Sequence, residues 1–219
     1  MGRANPKREI LKAFREYAVR YDLVVWSYRL MGIDEGRYRR DAIAALALRP
    51  GDTVIDLACG TGLNFPLLEK AVTGTGNIIG VDVWPDMLDQ ARRRIQSAGW
   101  RNIDLIQADA AQYVFPAGSA GILSTFAMNM VPEYDAVIRR GAAALRPGSR
   151  LAILDAKRAE PPPAWTAFLP AWRDRPFGMG SDLLDRHPWE SVKRHLREIS
   201  YREYFFGYLY LSVGRSRDR

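Results

Sequence analysis

Apolar side chains recur along this chain at two different spacings. Between residues 7 and 31, Ile10, Phe14, Tyr17, Tyr21, Val24 and Tyr28 fall at three- and four-residue steps, which predicts an amphipathic helix or a broken pair of helices. A second helix is expected over roughly 37–48, ahead of the turn Arg49-Pro50-Gly51-Asp52. Beyond it the period alternates. The short apolar runs "TVIDLA", "NIIGVD", "IDLIQAD", "AGILSTF" and "RLAILDA" are separated by helical patterns from about residue 62, in "WPDMLDQARRRIQSAG" and in "PEYDAVIRRGAAALRPG". Strands alternating with helices call for a parallel sheet with helices on both faces. Right-handed crossovers then gather the carboxyl ends of the strands along one edge. The alternation stops at Ala156, where a segment rich in Pro, Trp and Arg begins, and Pro161-Pro162-Pro163 reads as a stiff linker. The closing stretch "LREISYREYFFGYLYLSVGR" reads as an antiparallel hairpin. The fold class expected is α/β, with a seven-stranded, mostly parallel sheet and a C-terminal antiparallel hairpin.

Composition narrows the picture. At 219 residues the chain is long enough for one sizeable core, and 47% apolar with 26% charged residues is ordinary for a soluble globular protein. The first twenty residues carry six Lys/Arg and no apolar h-region, so no signal peptide is read there. The uncharged stretch from Ala110 to Pro132 is broken by Pro116, Gly118 and Gly121 and does not read as a membrane span. A lone Cys59 gives no disulfide framework, and with two scattered histidines it makes no metal site. A cytoplasmic location is the expectation.

The formal charge of +7 is unevenly spread. Residues 1–40 hold ten Lys/Arg against five Asp/Glu, and 172–219 hold ten against seven, while the middle is near neutral. Basic flanks suit an anionic membrane surface, an anionic substrate or nucleic acid, and equally suit mere solubility.

The first strand ends in "DLACGTGLNF". A dinucleotide site wants three glycines in Gly-x-Gly-x-x-Gly. Here Gly60 and Gly62 are present, but Ala58 precedes them and Leu63-Asn64-Phe65 follow, and no Gly-Lys-Ser/Thr phosphate loop exists. What remains is an acid, Asp56, beside a turn that allows close backbone approach. It would repel phosphate and attract an α-amino group. Asp82 ends the second strand, placed for ribose hydroxyls, and Asp109-Ala110 ends the third, placed for an adenine amine. Asp86 reads as the natural cap of the helix entered at Pro85, which leaves Asp82 for a ligand. An amino acid, a ribose and an adenine without phosphate describe S-adenosylmethionine.

Over residues 15–156 the chain resembles the class I S-adenosylmethionine-dependent methyltransferases. It is most similar to the ubiquinone/menaquinone-biosynthesis C-methyltransferases and related phospholipid N-methyltransferases. The segments that carry this are "YDLVVWSYRLMG", "VIDLACGTGLNF", "IIGVDVWPDML", "LIQADA" and "STFAMNMVPEYDAVIRRGAAALRPGSRLAILD". The resemblance implies a Rossmann-like fold and cofactor contacts from Tyr21, Asp56, Ala58, Gly60, Thr61, Gly62, Asn64, Asp82, Val83, Met87, Asp109, Ala110 and Thr125. Residues 125–131, "TFAMNMV", depart from the Phe-Gly-Leu-Arg-Asn-Val of the quinone branch.

In-line displacement at the sulfonium methyl needs alignment and exclusion of water more than a base. Asn129, at the end of the fourth strand, is the candidate for orienting a nucleophile by accepting a hydrogen bond, with Tyr17 and Tyr21 as further catalytic candidates. The chain is then divided into a helical lid (1–48), a cofactor-binding core (49–156), a substrate-covering insert (157–195) and the hairpin (196–219). The acceptor expected is a lipophilic small molecule, a quinol precursor or a phospholipid amine headgroup, with the basic first helix a candidate for peripheral contact with an anionic membrane. A soluble metabolite is the alternative acceptor. A nucleic-acid acceptor is disfavoured, because no Asn-Pro-Pro-aromatic motif and no appended RNA-binding module is present. Nothing in the sequence specifies an oligomeric state.

Overall fold

The computed structural model of the protein describes residues 32–164 and 181–217. The expected first helix, with Tyr17 and Tyr21, and residues 165–180 of the insert lie outside the described residues. Helix α1 (Glu35–Leu46) is capped by Asp34, whose carboxylate accepts the Arg37 N–H at 3.0 Å. It ends two residues earlier than the periodicity predicts, because Ala47 adopts a left-handed conformation with φ 52°. Strand β1 (Thr53–Leu57) leads through the glycine turn into α2 (Phe65–Val72). That helix starts later than residue 62 because Gly60 and Gly62 both have positive φ. Strand β2 (Asn77–Asp82), helix α3 (Pro85–Ala98) and β3 (Ile103–Gln107) follow. Pro85 suits the first turn of α3, where no amide partner is required, and Gly99 ends the helix at φ 72°.

Strand β4 (Ser119–Thr125) is buried along its whole length. Helix α4 (Tyr134–Ala144) stops short of the expected "RPG". Leu145 already pairs with Ser119, so β5 spans Leu145–Ala156, and Pro147 could not have continued the helix. The chain closes with α5 (Pro188–His195), β6 (Arg197–Tyr204) and β7 (Leu209–Arg215).

The seven strands lie in the order β3-β2-β1-β4-β5-β7-β6. The first five pair in parallel, and β7 inserts antiparallel between β5 and β6. Alternate residues of each strand serve two cores. Val54 and Leu123 join α1, α2 and α3 on one face through Leu46, Phe65, Leu68 and Leu88. Ile55 and Ile122 join α4 and α5 on the other through Val137, Ile138 and Val192. The helices after β1 and β2 therefore cover one face and the helix after β4 the other. That reversal opens a crevice at the carboxyl ends of β1 and β4, the place where sheets of this kind take ligands. Among the described residues no helix is long and apolar enough to cross a membrane.

Asp135 ties α4 to α5. Its Oδ1 accepts from Ser191 Oγ at 2.7 Å and Arg194 Nη1 at 2.6 Å and lies 3.1 Å from His195 Nε2. The Ser191 hydroxyl, with His195 and Arg194, holds its carboxyl below the ordinary 3.8. A lowered folded value means stability that is present above the unfolded pKa and lost as pH falls through the folded one. Asp135→Ala is expected to lower the urea midpoint modestly at pH 7 and not at pH 2. An equal loss at both values would show that packing, not charge, is responsible. The effect is modest because the side chain is 44% exposed and screened.

Candidate functional site

The turn after β1 is built around Phe65. The ring is fully buried, and a Cβ on Gly62 would lie 2.5 Å from it; one on Gly80 in β2 would lie 2.8 Å from it. Gly62 is thus required by packing as well as by its φ of +78°. Gly60 differs. At φ +56° its missing Cβ would meet nothing within 4 Å, so the backbone there faces open space that a ligand can approach. Ala58 has φ 55° in the same turn, which costs a non-glycine residue ~1–2 kcal/mol. Ala58→Gly is expected to leave stability unchanged or raise it by up to ~1 kcal/mol, since lost strain is offset by a freer unfolded chain. A clear fall in the thermal midpoint would show that the methyl is needed for packing. Arg94 of α3 braces the turn from outside, donating to the Thr61 carbonyl at 3.0 Å.

Below the turn lies a buried polar network. Asn64 Nδ2 donates to both oxygens of Asp56, at 2.9 and 3.1 Å, and to Thr125 Oγ1 at 3.0 Å. Arg39 Nη1, from α1, donates to Asn64 Oδ1 at 2.9 Å and to Thr125 Oγ1 at 2.6 Å. Its Nη2 reaches Glu35 at 3.4 Å, and its guanidinium lies 5.0 Å from the centre of the Phe126 ring. Asp56, Asn64, Thr125 and Arg39 are all buried. Burial pushes the Asp56 carboxyl up to about 7; the Asn64 amide and Arg39 pull it down, and Asp82 pushes it further up. Asn64 and Thr125, expected to contact the cofactor, spend their side-chain groups on Asp56, Arg39 and each other.

Asp82 holds the turn from the β2 side. Its Oδ2 accepts the Gly60 N–H at 2.8 Å and its Oδ1 the Trp84 N–H at 2.9 Å. This corrects the expectation that Asp86 caps α3 and leaves Asp82 unengaged. Trp84 is the N-cap, Asp86 sits one residue inside the helix, and the amides at both flanks converge on Asp82. The Val83 amide also pulls on this carboxyl, so three amides leave it some spare acceptor capacity for a ligand. Beside it Val83 is 45% exposed, an apolar surface suited to a flat base, whereas Met87 is buried in the first turn of α3. Asp109 is exposed and its Oδ1 accepts the Ala111 N–H at 2.8 Å, whereas Ala110 is buried.

At the other side of the crevice Asn129 is fully buried in a short helical turn, Met128–Met130. Its N–H donates to Asp155 Oδ2 at 2.9 Å, its side-chain amide donates to the Ala156 carbonyl, and its own carbonyl accepts from Arg186 at 2.7 Å. Asn129 Oδ1 has no hydrogen-bond partner among the described residues. Burial pushes the Asp155 carboxyl up to about 6, against the pull of backbone amides of residues 127–129 and 156. His195 pairs with Asp135, and His187 meets Trp189 in a tilted ring contact with 4.6 Å between ring centres.

Sequence reasoning missed Arg39 and Asp155. Arg39 lies on the same stripe of α1 as Ala42, Ile43 and Leu46, and a charge on an apolar stripe was the available signal. Asp155 ends "LAILDA" much as Asp56 ends "TVID". Neither signal depends on a motif.

Known proteins share both the sequence and the architecture. Over 159 residues the chain is 26% identical to the demethylmenaquinone methyltransferase of Listeria welshimeri, a match covering 71% of this chain and 66% of that protein. The chain therefore spans just under two thirds of that relative's length. It is 29% identical over 189 residues to the demethylmenaquinone methyltransferase of Symbiobacterium thermophilum, covering 76% of this chain and 75% of the relative. The crystal structure of an S-adenosylmethionine-dependent methyltransferase from Aquifex aeolicus superposes with a TM-score of 0.65 at 20% identity, covering 81% of this chain and 89% of that one. That likeness is one of fold. The ubiE/COQ5 methyltransferase family matches residues 3–175, a span that includes the glycine turn and all four strand-end acids. By that match the chain belongs to the ubiE/COQ5 methyltransferase family.

Proposed function

We propose that the protein is an S-adenosylmethionine-dependent methyltransferase acting on a lipophilic small molecule, a quinol precursor. The observation that carries the reading is the Asp56–turn–Asp82 unit at the switch point of the sheet. It offers a buried carboxylate for an ammonium group, open space over Gly60, and a carboxylate with spare lone pairs for hydroxyls. The donor set suits this cofactor and does not suit a phosphate, which two acids would repel. The relatives' names favour a quinol over a phospholipid headgroup.

The cofactor supplies an electrophilic methyl on a sulfonium when bound. The protein's part is binding, orientation and exclusion of water. Asn129 Oδ1, lacking a hydrogen-bond partner among the described residues, is the group offered to a hydroxyl of the acceptor. Tyr17 and Tyr21 are retained as catalytic candidates, Tyr21 also as a cofactor contact, and the division into lid, core, insert and hairpin is retained with them. The basic N-terminal segment would bring such a site to an anionic bilayer. Co-sedimentation with anionic vesicles that disappears at high salt is the expected behaviour, and absence of pelleting at low salt removes that attachment.

Titration calorimetry with S-adenosylhomocysteine tests the cofactor. The parent protein is expected to bind it. Asp82→Ala should weaken binding by ~1.5–3 kcal/mol, the loss for hydrogen bonds to a charged group. Unchanged affinity would remove the ribose assignment. Incubation with S-adenosylmethionine and a demethylated quinol, followed by mass spectrometry for one added methyl group, tests the acceptor. Methylation of soluble metabolites alone would move the reading to that alternative.

A further inference from the structure

A guanidinium carries five N–H donors in a planar fork and stays charged throughout the pH range of proteins. Arg186 spends one of them, from Nη1 to the main-chain carbonyl of Asn129 at 2.7 Å, and has no carboxylate partner among the described residues. The other charges around it are matched. Arg158 pairs with Asp185, Lys157 with Glu203, and Arg194 and His195 with Asp135. Asp155, behind Asn129, is wholly buried and takes its hydrogen bonds from main-chain amides. The place of Arg186 is fixed from both sides. Leu184 and Pro188 are buried, the Arg186 N–H donates to the Leu183 carbonyl at 3.4 Å, and Asn129 is held by Asp155 and Ala156. Arg186 itself is only half-buried. A cation with unspent donors is thus held against the residue whose Oδ1 is offered to an acceptor hydroxyl.

A ring carbon beside a hydroxyl becomes a nucleophile when that hydroxyl ionises. We propose that Arg186 is a catalytic residue that receives the ionised hydroxyl oxygen of the acceptor, so that the acceptor reacts as a phenolate. The inference rests on the quinol reading above and adds to it the form in which the quinol reacts. The hydroxyl proton leaves to solvent. The oxygen's electron pair then moves into the ring, the neighbouring carbon forms its bond to the methyl group, and the carbon–sulfur bond breaks with its pair left on sulfur. The ring carbon gives up its hydrogen to water as a proton, which leaves the methylated phenolate. Asn129 Oδ1 accepts from the second hydroxyl of the quinol, which stays protonated. A fixed cation favours this anion and works against an amine acceptor, which is itself cationic at neutral pH.

Two measurements with a demethylated quinol, both under exclusion of oxygen, test this on the parent protein, Arg186→Gln and Arg186→Lys. With S-adenosylhomocysteine in place of the methyl donor, the ultraviolet band of the bound quinol moves to longer wavelength when a hydroxyl ionises. The parent is expected to ionise it at a pH ~1–3 units below Arg186→Gln, the displacement that a neighbouring cation gives an acid, with Arg186→Lys between them. In turnover Arg186→Gln should lose roughly 10²–10³ in kcat at pH 7, the loss for a removed oxyanion donor, and regain part of it as pH rises. His187, Asp155, Asp185, Glu203 and the cations paired with them are common to all three proteins, so the difference between the profiles belongs to residue 186. A bound quinol that ionises at the same pH in the parent and Arg186→Gln overturns the assignment. So does a loss of kcat that no rise in pH restores, the mark of a merely structural role. A parent that fails to methylate the quinol overturns the acceptor reading and this one together, whereas an active parent with an equally active Arg186→Gln overturns this one alone.

Discussion

Gly62→Ala is expected to lower stability by ~2–5 kcal/mol and to take cofactor binding with it. Two costs add. The residue sits at φ +78°, where a Cβ costs ~1–2 kcal/mol. The new methyl would also lie 2.5 Å from Cδ2 and Cε2 of Phe65, a ring with no exposure, wedged between Gly62 and Gly80. Overpacking of that kind costs ~1–3 kcal/mol, because the ring can move only by disturbing Leu68 and β2. Gly60→Ala is the control. It bears a similar backbone cost at φ +56° but its Cβ meets nothing within 4 Å. It should therefore lose ~1–2 kcal/mol of stability and a disproportionate share of affinity, because the methyl projects into the space offered to the ligand. Urea unfolding and calorimetric titration of the two variants separate the roles. If Gly60→Ala proves the less stable of the pair, the division of labour within the turn is wrong.

Most of the sheet was legible because its signals are local. "NIIGVD" is β2 to the residue, and the two apolar runs after residue 196 pair as the hairpin predicts. Boundaries failed where one residue's backbone overruled the pattern. Ala47 ends α1 by turning left-handed, and Pro147 lets β5 begin at Leu145. The insertion of β7 between β5 and β6 is a matter of tertiary pairing that no local period records. In the site, Asp56 and Asp82 were readable as acids at strand ends. Their partners were not. Asp82 is bound by an amide 22 positions away, and Thr125 by a guanidinium 86 positions away. Arg39 was counted among the ten cations of a basic flank, yet it is buried. A charge census weighs every cation alike, and burial decides which of them acts.

Asp56→Asn is expected to make the ligand-free protein more stable at pH 8 while disabling it as a receptor. Burial is the largest influence on this carboxyl and raises it from 3.8 to about 7, more than Asn64 and Arg39 lower it. Between pH 4 and 7 the folded protein therefore keeps a proton that the unfolded chain has released. Stability falls as pH rises through that window, and above about 7 the full cost of the buried charge stands, on the order of 4 kcal/mol. Asparagine cannot ionise. Its amide still has to be buried, so the net gain at pH 8 should be ~1–3 kcal/mol, shrinking towards zero near pH 4. Urea midpoints at the two pH values measure this. A variant less stable than the parent at pH 8 would mean that Asp56 is needed as the counter-ion of Arg39 more than its burial costs. Binding should show the opposite dependence. An ammonium needs the ionised carboxylate, so affinity of the parent for S-adenosylhomocysteine should weaken as pH falls below about 7, by up to about tenfold per unit. The variant should bind weakly at every pH. On this account the parent protein keeps a charge that opposes its own folding at neutral pH, and an arriving ammonium group removes the opposition.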